Sequence, residues 1–360
     1  MGGAFSAVSD DATGAYYNPG ALVFGADDSM ISISNSTNFQ RSNYQNDLSG
    51  DLENDIYGWG YLVSYAGYFK RNGDFIFGFS YAIDNAVDER QTQTFATDYT
   101  ASVIGQDVYY KYGPSLSYQA NKHLGLGATL YLDQREYSKK STYYRPYQSS
   151  GDRGESYDTD VWGSELGAIV KLGALVDLEK VAIALVVSKS IGTHREYHQV
   201  ITTKDASLNR LVRSSSSSND VADAASQLTL GFAWFASPYL LFSMDIDQFQ
   251  LETTTKESVT NLSAGVEYYL TPAYVLRLGT FTNKDNNIAP DSDSSLVSKV
   301  DMAGATLGLA ISSGDSIISA GVAVSSGTGT GQTDPFSSSE IQDINKSAYQ
   351  FFLGVTLAKD

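Results

Sequence analysis

Apolar side chains recur at every second position along most of this chain, yet never in a run long enough to cross a membrane as a helix. The longest strongly apolar run is 182–187 (AIALVV), far short of the roughly 20 residues that a membrane-spanning helix needs. A barrel strand needs only about 10 residues with one apolar face. Tyr349, Phe351, Leu353, Val355 and Leu357 share one face of the last segment, opposite Gln350, Phe352, Gly354, Thr356 and Ala358. Residues 75–83, 124–133 and 228–236 repeat the pattern, which is the period of a β-strand. On this basis strands are expected near 29–39, 58–70, 74–85, 106–120, 123–137, 158–173, 181–195, 227–237, 239–252, 258–270, 274–283, 296–312, 316–326 and 347–358.

The connections alternate in length. Short ones carry turn residues, such as Arg71-Asn72-Gly73, Ser237-Pro238, Thr271-Pro272-Ala273 and Ser313-Gly314-Asp315, where Gly and Asn accept positive φ and Pro presets its own. The others are polar and mostly long: 40–57, 86–105, 138–157, 196–226, 284–295 and 327–346, with 253–257 short. Short turns at one end and long loops at the other describe a transmembrane antiparallel β-barrel of about 14 strands. An even strand count puts both chain ends on the short-turn, periplasmic side. A soluble sandwich or propeller also alternates, but its exposed faces would carry Lys and Glu. Here the second face is rich in Gly, Ser, Thr and Ala.

Composition excludes several chemistries. With no cysteine, thiol catalysis, disulfides and Cys-ligated metals fall away. A net charge of -17 argues against nucleic acid, which rewards a basic face. The three histidines are His123, His194 and His198; the last two lie about 13 Å apart along a strand, too far to share a metal. Gly327-Thr328-Gly329-Thr330-Gly331 is followed by neither Lys-Ser/Thr nor a helix, so it reads as a flexible loop. The run 214–218 of serines reads as low-complexity loop. No enzyme activity, cofactor or metal is expected. Residues 1–24 have neither a basic n-region nor a continuous apolar h-region, so the chain is expected to be a processed or truncated form.

The most specific stretch is Gly2-Gly3-Ala4, then Asp10-Asp11-Ala12, then Tyr16-Tyr17-Asn18-Pro19-Gly20-Ala21-Leu22. It resembles the hatch segment of the long-chain fatty-acid outer-membrane transporter family (FadL/TodX), whose Asn-Pro-Ala signature precedes the first barrel strand. Asp10, Asp11, Asn18 and Pro19 match that pattern; Gly20 stands in place of the signature's Ala. Segments around 228–234, 265–269 and 276–279 resemble that family's later strands. The resemblance implies two parts, an N-terminal hatch at 1–28 and a barrel at 29–360. It implies passive uptake of hydrophobic small molecules, such as long-chain fatty acids, across a bacterial outer membrane. The expected partners are outer-membrane lipid, lipopolysaccharide and the ligand, and the chain is expected to be a monomer. The alternative is a non-transporting barrel with a structural, adhesion or secretion-assembly role, since related barrels share the Asn-Pro signature. The physics of the segment agrees with a plug: Asn-Pro favours a turn, and a lumen this wide is not filled by wall side chains alone.

If the apolar face meets lipid, Asp133, Arg135, Glu165, Lys171, Asp245, Asp247, Glu267 and Arg277 point inward. Asp245, Glu267 and Arg277 are candidates either to pair and anchor the hatch or, for Arg277, to hold an anionic ligand head. Tyr131, Trp162, Phe235, Tyr269, Phe281 and Phe352 are candidate ligand-lining rings; packing against the hatch explains them equally well. The family has a lateral opening at a kinked third strand. Here Gly78 and Pro114 fall in adjacent strands, and Pro does not donate to a ladder, so a bulge or gap is expected between the third and fourth strands. In the family the loops after strands five and seven shape the ligand's mouth groove. The first of these offers Tyr143, Tyr144 and Tyr147, and the second is mostly polar.

Overall fold

A computed structural model describes residues 1–9, 11–25, 28–45, 54–95, 99–145, 155–205, 210–221, 226–250, 256–290, 298–331 and 341–359. After a short helix α1 (Gly14–Tyr17) and a 3-10 turn (Pro19–Phe24), the described chain is strand and turn. The strands are β1 (Ser29–Gln45), β2 (Asn54–Asn72), β3 (Phe75–Phe95), β4 (Tyr99–Asn121), β5 (Leu124–Arg145), β6 (Glu155–Asp177), β7 (Val181–Asp205), β8 (Arg210–Val221), β9 (Ser226–Ser237), β10 (Leu240–Gln250), β11 (Val259–Thr271), β12 (Tyr274–Asn283), β13 (Ser298–Ser313), β14 (Ser316–Gly331) and β15 (Gln342–Lys359).

Each wall strand pairs antiparallel with its neighbours, and β1 pairs with β15 from Ser29↔Lys359 to Gln45↔Asp343. The sheet therefore closes. Fourteen strands make the wall. β8 stands outside it, pairing with β7 over His194–Asp205, while the other half of β7 (Val181–Lys189) pairs with β9. The fourteen expected strands are these wall strands, several of them running further toward the long loops than the alternation indicated. β8 is a difference, since 196–226 reads as loop. A strand with solvent on both faces needs no alternation, so its serine run carries no sequence signal.

The two faces are sharply divided. Phe75, Phe77 and Phe79 are 46%, 49% and 52% exposed, while Ile76 and Ser80 on the alternate face are fully buried. Leu130 and Leu132 flank buried Tyr131, and Phe351, Leu353 and Val355 repeat the outward row. Burying one such side chain in an apolar phase is worth roughly 1.5–3 kcal/mol, so a belt of them requires lipid around the wall. Tight turns join the strands at one end. Gly73 and Gly314 sit at φ 62° and 57° in two of them, a region costly for a residue bearing Cβ.

Among the described ladders, the longest lapse in the wall lies between β2 and β3. Between β2 and β3 the pairing runs from Asn72↔Phe75 to Tyr65↔Ala82, lapses, and resumes at Trp59↔Asp88. Both flanking strands carry a bulge there, Ser64 on β2 against β1 and Asp84 on β3 against β4. The opening expected between β3 and β4 at Gly78 and Pro114 is not found. Those strands pair without interruption from Phe75↔Tyr118 through Phe79↔Pro114 to Ile83↔Tyr110. Pro114 interrupts only its other side, where pairing to β5 skips Gly113 and Pro114 and resumes in the same register. Gly78 is small because the ring of buried Phe69 packs over it: an added Cβ would lie 2.5 Å from that ring.

Candidate functional site

The N-terminal residues pack against the inward faces of the wall. Ala12, Ala15, Leu22 and Val23 form one buried cluster with Met30, Phe69 and Ile76. Ala7 and Ala21 form another with Leu175, Ala182, Ala184, Ala233 and Leu241. Asn18, Pro19 and Gly20 sit on a glycine floor. An added Cβ would meet Pro19 at 2.3 Å from Gly127, the Gly20 oxygen at 2.2 Å from Gly125, and Asn18 Oδ1 at 2.2 Å from Gly173. A Cβ on Gly20 would itself lie 2.6 Å from the Gly173 oxygen. Gly replaces the signature's Ala where no methyl group fits.

Hydrogen bonds complete the seat. Asn18 Nδ2 donates to the Ser6 and Ala174 carbonyls at 3.0 and 3.2 Å, and its Oδ1 accepts from Gly20 N–H at 3.0 Å. Wall side chains donate to carbonyls of the N-terminal segment, most of which its own turns leave open. Tyr65 donates to Ala12, Thr129 to Ala15 (3.1 Å), Lys171 to Tyr16, Ser117 to Pro19 and Arg71 to Val23 (2.6 Å). Asp245 does the reverse, accepting the N–H groups of Phe5 and Ser6. Asp11 accepts from Thr13 N–H at 2.8 Å and from Thr356 Oγ1 at 3.3 Å. Asp10 lies outside the described residues.

Inward charges pair across strands. Arg135 holds Asp107 by two bonds of 2.9 Å and Glu165 by one of 3.1 Å, between the rings of Tyr109 and Tyr137, each 4.8 Å away. Arg195 reaches the same Glu165 at 3.1 Å. On the other side of the barrel, Arg277 Nε donates to buried Glu267 at 2.6 Å.

A cavity of about 560 Å³ lies between the N-terminal residues and the wall formed by β1–β3 and β12–β15. Rings of Phe5, Tyr16, Tyr17, Phe281 and Phe352 border it, with Arg277 and Asp11. Ser34, Ser36, Asn38, Thr306 and Gln350 line the rest, and it reaches the wall at Ser64, Tyr65, Ala82 and Ile83, beside the lapse between β2 and β3. This size is usual for a small-molecule site.

Of the six candidate rings, the cavity brings together Phe281 and Phe352. Tyr131 points inward but is fully buried, its hydroxyl 2.9 Å from Ser80 Oγ. Phe235 and Tyr269 lie near the turn end of β9 and β11, away from the cavity, and Phe235 is 37% exposed. Trp162 is a correction: it faces outward. β6 keeps one register against β5 throughout, so Trp162 lies on the face of exposed Leu166 and Leu172, opposite Glu165 and Lys171. It stacks there on His198, ring centroids 5.3 Å apart. Counting parity from Lys171 excludes it from the lumen. The serines of β1 were missed because small polar residues mark an inward face without marking a cavity. Tyr147 lies outside the described residues.

A closed antiparallel barrel with an apolar outer belt and an occupied lumen defines the class of outer-membrane β-barrels. Among solved structures, the chain resembles the toluene transporter TodX of P. putida (14% identity, 96% of this chain and 94% of that one, TM-score 0.72). It is also similar to a FadL homologue of Pseudomonas aeruginosa (14% identity, 99% and 96%, TM-score 0.70) and to the Ralstonia pickettii toluene transporter TbuX (10%, 100% and 98%, TM-score 0.68). The fold is thus that of the FadL-type barrels. No protein-family model matches the chain, and no curated protein sequence matches it.

Proposed function

We propose that this protein is a passive outer-membrane channel for hydrophobic small molecules. The observation that carries the reading is the ring-bordered cavity, which reaches the barrel wall beside the place where β2 and β3 part. A ligand taken up among the long loops rests against Phe281, Phe352 and the N-terminal rings. It then leaves sideways between β2 and β3 into the bilayer. Residues 1–28 act as the hatch that closes the straight path. The short turns and both chain ends face the periplasm and the long loops face outward. The wall acts as a monomer among lipid and lipopolysaccharide; among the described residues each of its fourteen strands pairs with a neighbour on both sides. The names of the similar structures, toluene transporters among them, agree with such cargo.

The test is transfer of naphthalene into proteoliposomes that contain an internal fluorescent reporter. The full chain is expected to speed transfer over protein-free vesicles; equal rates overturn the reading.

A further inference from the structure

One ladder row crosses the cavity wall: Ser36, Phe352, Gly321, Gly308, Arg277 and Glu267 lie opposite one another in turn on β1, β15, β14, β13, β12 and β11. Two glycines therefore separate an aromatic ring from a guanidinium. The Phe352 ring covers Gly321, where an added Cβ would lie 2.3 Å from it. At Gly308 the nearest atoms to an added Cβ are the Ala320 oxygen at 3.5 Å, Arg277 Cβ at 3.7 Å and the Phe352 ring at 3.9 Å. The result is a bare notch with a ring on one side and a cation on the other.

Arg277 is only partly occupied. Its Nε donates to Glu267, and neither Nη has a partner among the described residues. Arg135 shows in the same barrel a guanidinium with all three nitrogens engaged, holding Asp107 and Glu165 together. A guanidinium has five donors and binds a carboxylate best by two of them. The remaining acidic group of the cavity, Asp11, is engaged by Thr13 and Thr356. It disfavours an anion at its own side and so orients one toward Arg277.

From this geometry we infer that the cavity binds aromatic carboxylates, with the ring against Phe352 over the glycine notch and the carboxylate on the two Nη groups of Arg277. The surrounding Ser34, Ser36, Thr306 and Gln350 offer hydrogen-bonding partners to polar substituents on such a ring. This rests on the channel reading and narrows it to a substrate class.

The experiment is equilibrium dialysis of the folded full chain in detergent against 2-naphthoate, with 2-naphthamide as the neutral probe and protein-free micelles as the blank. Naphthoate is expected to bind more tightly than the amide. Arg277→Gln, paired with Glu267→Gln so that no buried carboxylate is left alone, is expected to weaken naphthoate at least tenfold and leave the amide unchanged. Gly308→Val, which fills the notch and keeps the charge, is expected to weaken both probes. Folding of each variant is checked by its resistance to detergent unfolding on gels. Equal affinity for the two probes, or an equal loss of both in the double variant, overturns the inference. If naphthoate fails to bind while the protein still speeds naphthalene transfer into vesicles, this inference falls and the channel stands. If neither occurs, the channel reading falls with it.

Discussion

The carboxylate of Asp245 accepts the backbone N–H of Ser6 at 2.9 Å, joining the first turn of the chain to the tenth strand of the sheet. The same oxygen accepts Phe5 N–H at 3.0 Å. Its other oxygen is buried without a partner among the described residues. Hydrogen bonds to a charged group are worth roughly 1.5–3 kcal/mol each, so this one side chain accounts for much of what holds residues 5–6 to the wall. Asp245→Ala is expected to free them and raise ion conductance in planar bilayers. Asp245→Asn keeps an acceptor and should raise it less. Conductance equal to the parent in both variants would rule out a latch.

Asn18 satisfies three backbone groups from a fully buried position. Asn18→Ala strands them, at about 1–3 kcal/mol. Faster amide exchange across 12–24, with exchange in the wall strands unchanged, is the expected result. Gly20→Ala should act in the same direction, because its methyl group meets the Gly173 oxygen at 2.6 Å. Exchange rates unaffected by both changes would mean that the glycine floor does not hold the segment.

The lapse between β2 and β3 is open to a direct test, because the chain has no cysteine of its own. Ser64→Cys with Ile83→Cys places two thiols on the edges of the lapse, beside the paired residues Tyr65 and Ala82. When oxidised, the pair is expected to reduce naphthalene transfer several-fold, and reduction should restore it. Transfer that is indifferent to the redox state would direct the exit elsewhere.

Arg135 lies between two carboxylates and two tyrosine rings. Its removal deprives partly shielded Asp107 of this partner and leaves Glu165, among the described residues, with Arg195 alone. Breaking a fully buried pair costs about 3–5 kcal/mol. With 27% of the Arg135 side chain exposed, solvent screening reduces that, and roughly 2 kcal/mol is expected. Arg135→Ala should lower the temperature at which the compact band unfolds on gels, and Arg135→Lys, which loses the two-pronged bond, should fall between. An unchanged transition would remove this network from the account of stability.

Much of the wall was legible because its information is local. Phe75, Phe77 and Phe79 against Ile76, Gly78 and Ser80 state two faces within six residues, and the inward places of Arg135, Glu165, Lys171 and Asp245 follow from parity alone. Turns such as Asn72-Gly73 announced themselves by the φ they require. The outward place of Trp162 follows from the same parity, since it matches Leu166 and Leu172 and opposes Lys171 on one strand.

The sequence by itself determined which side chains face lipid and which face the lumen, since a period of two is set residue by residue. It did not determine which inward side chains meet. That depends on register around a closed sheet, and a single inserted residue at Ser64 or Asp84 shifts every partner beyond it. Only the tertiary structure therefore put Phe352 and Arg277 in one row across two glycines, seated Asn18 on Gly173, and moved the weak point of the wall from Pro114 to the β2–β3 lapse.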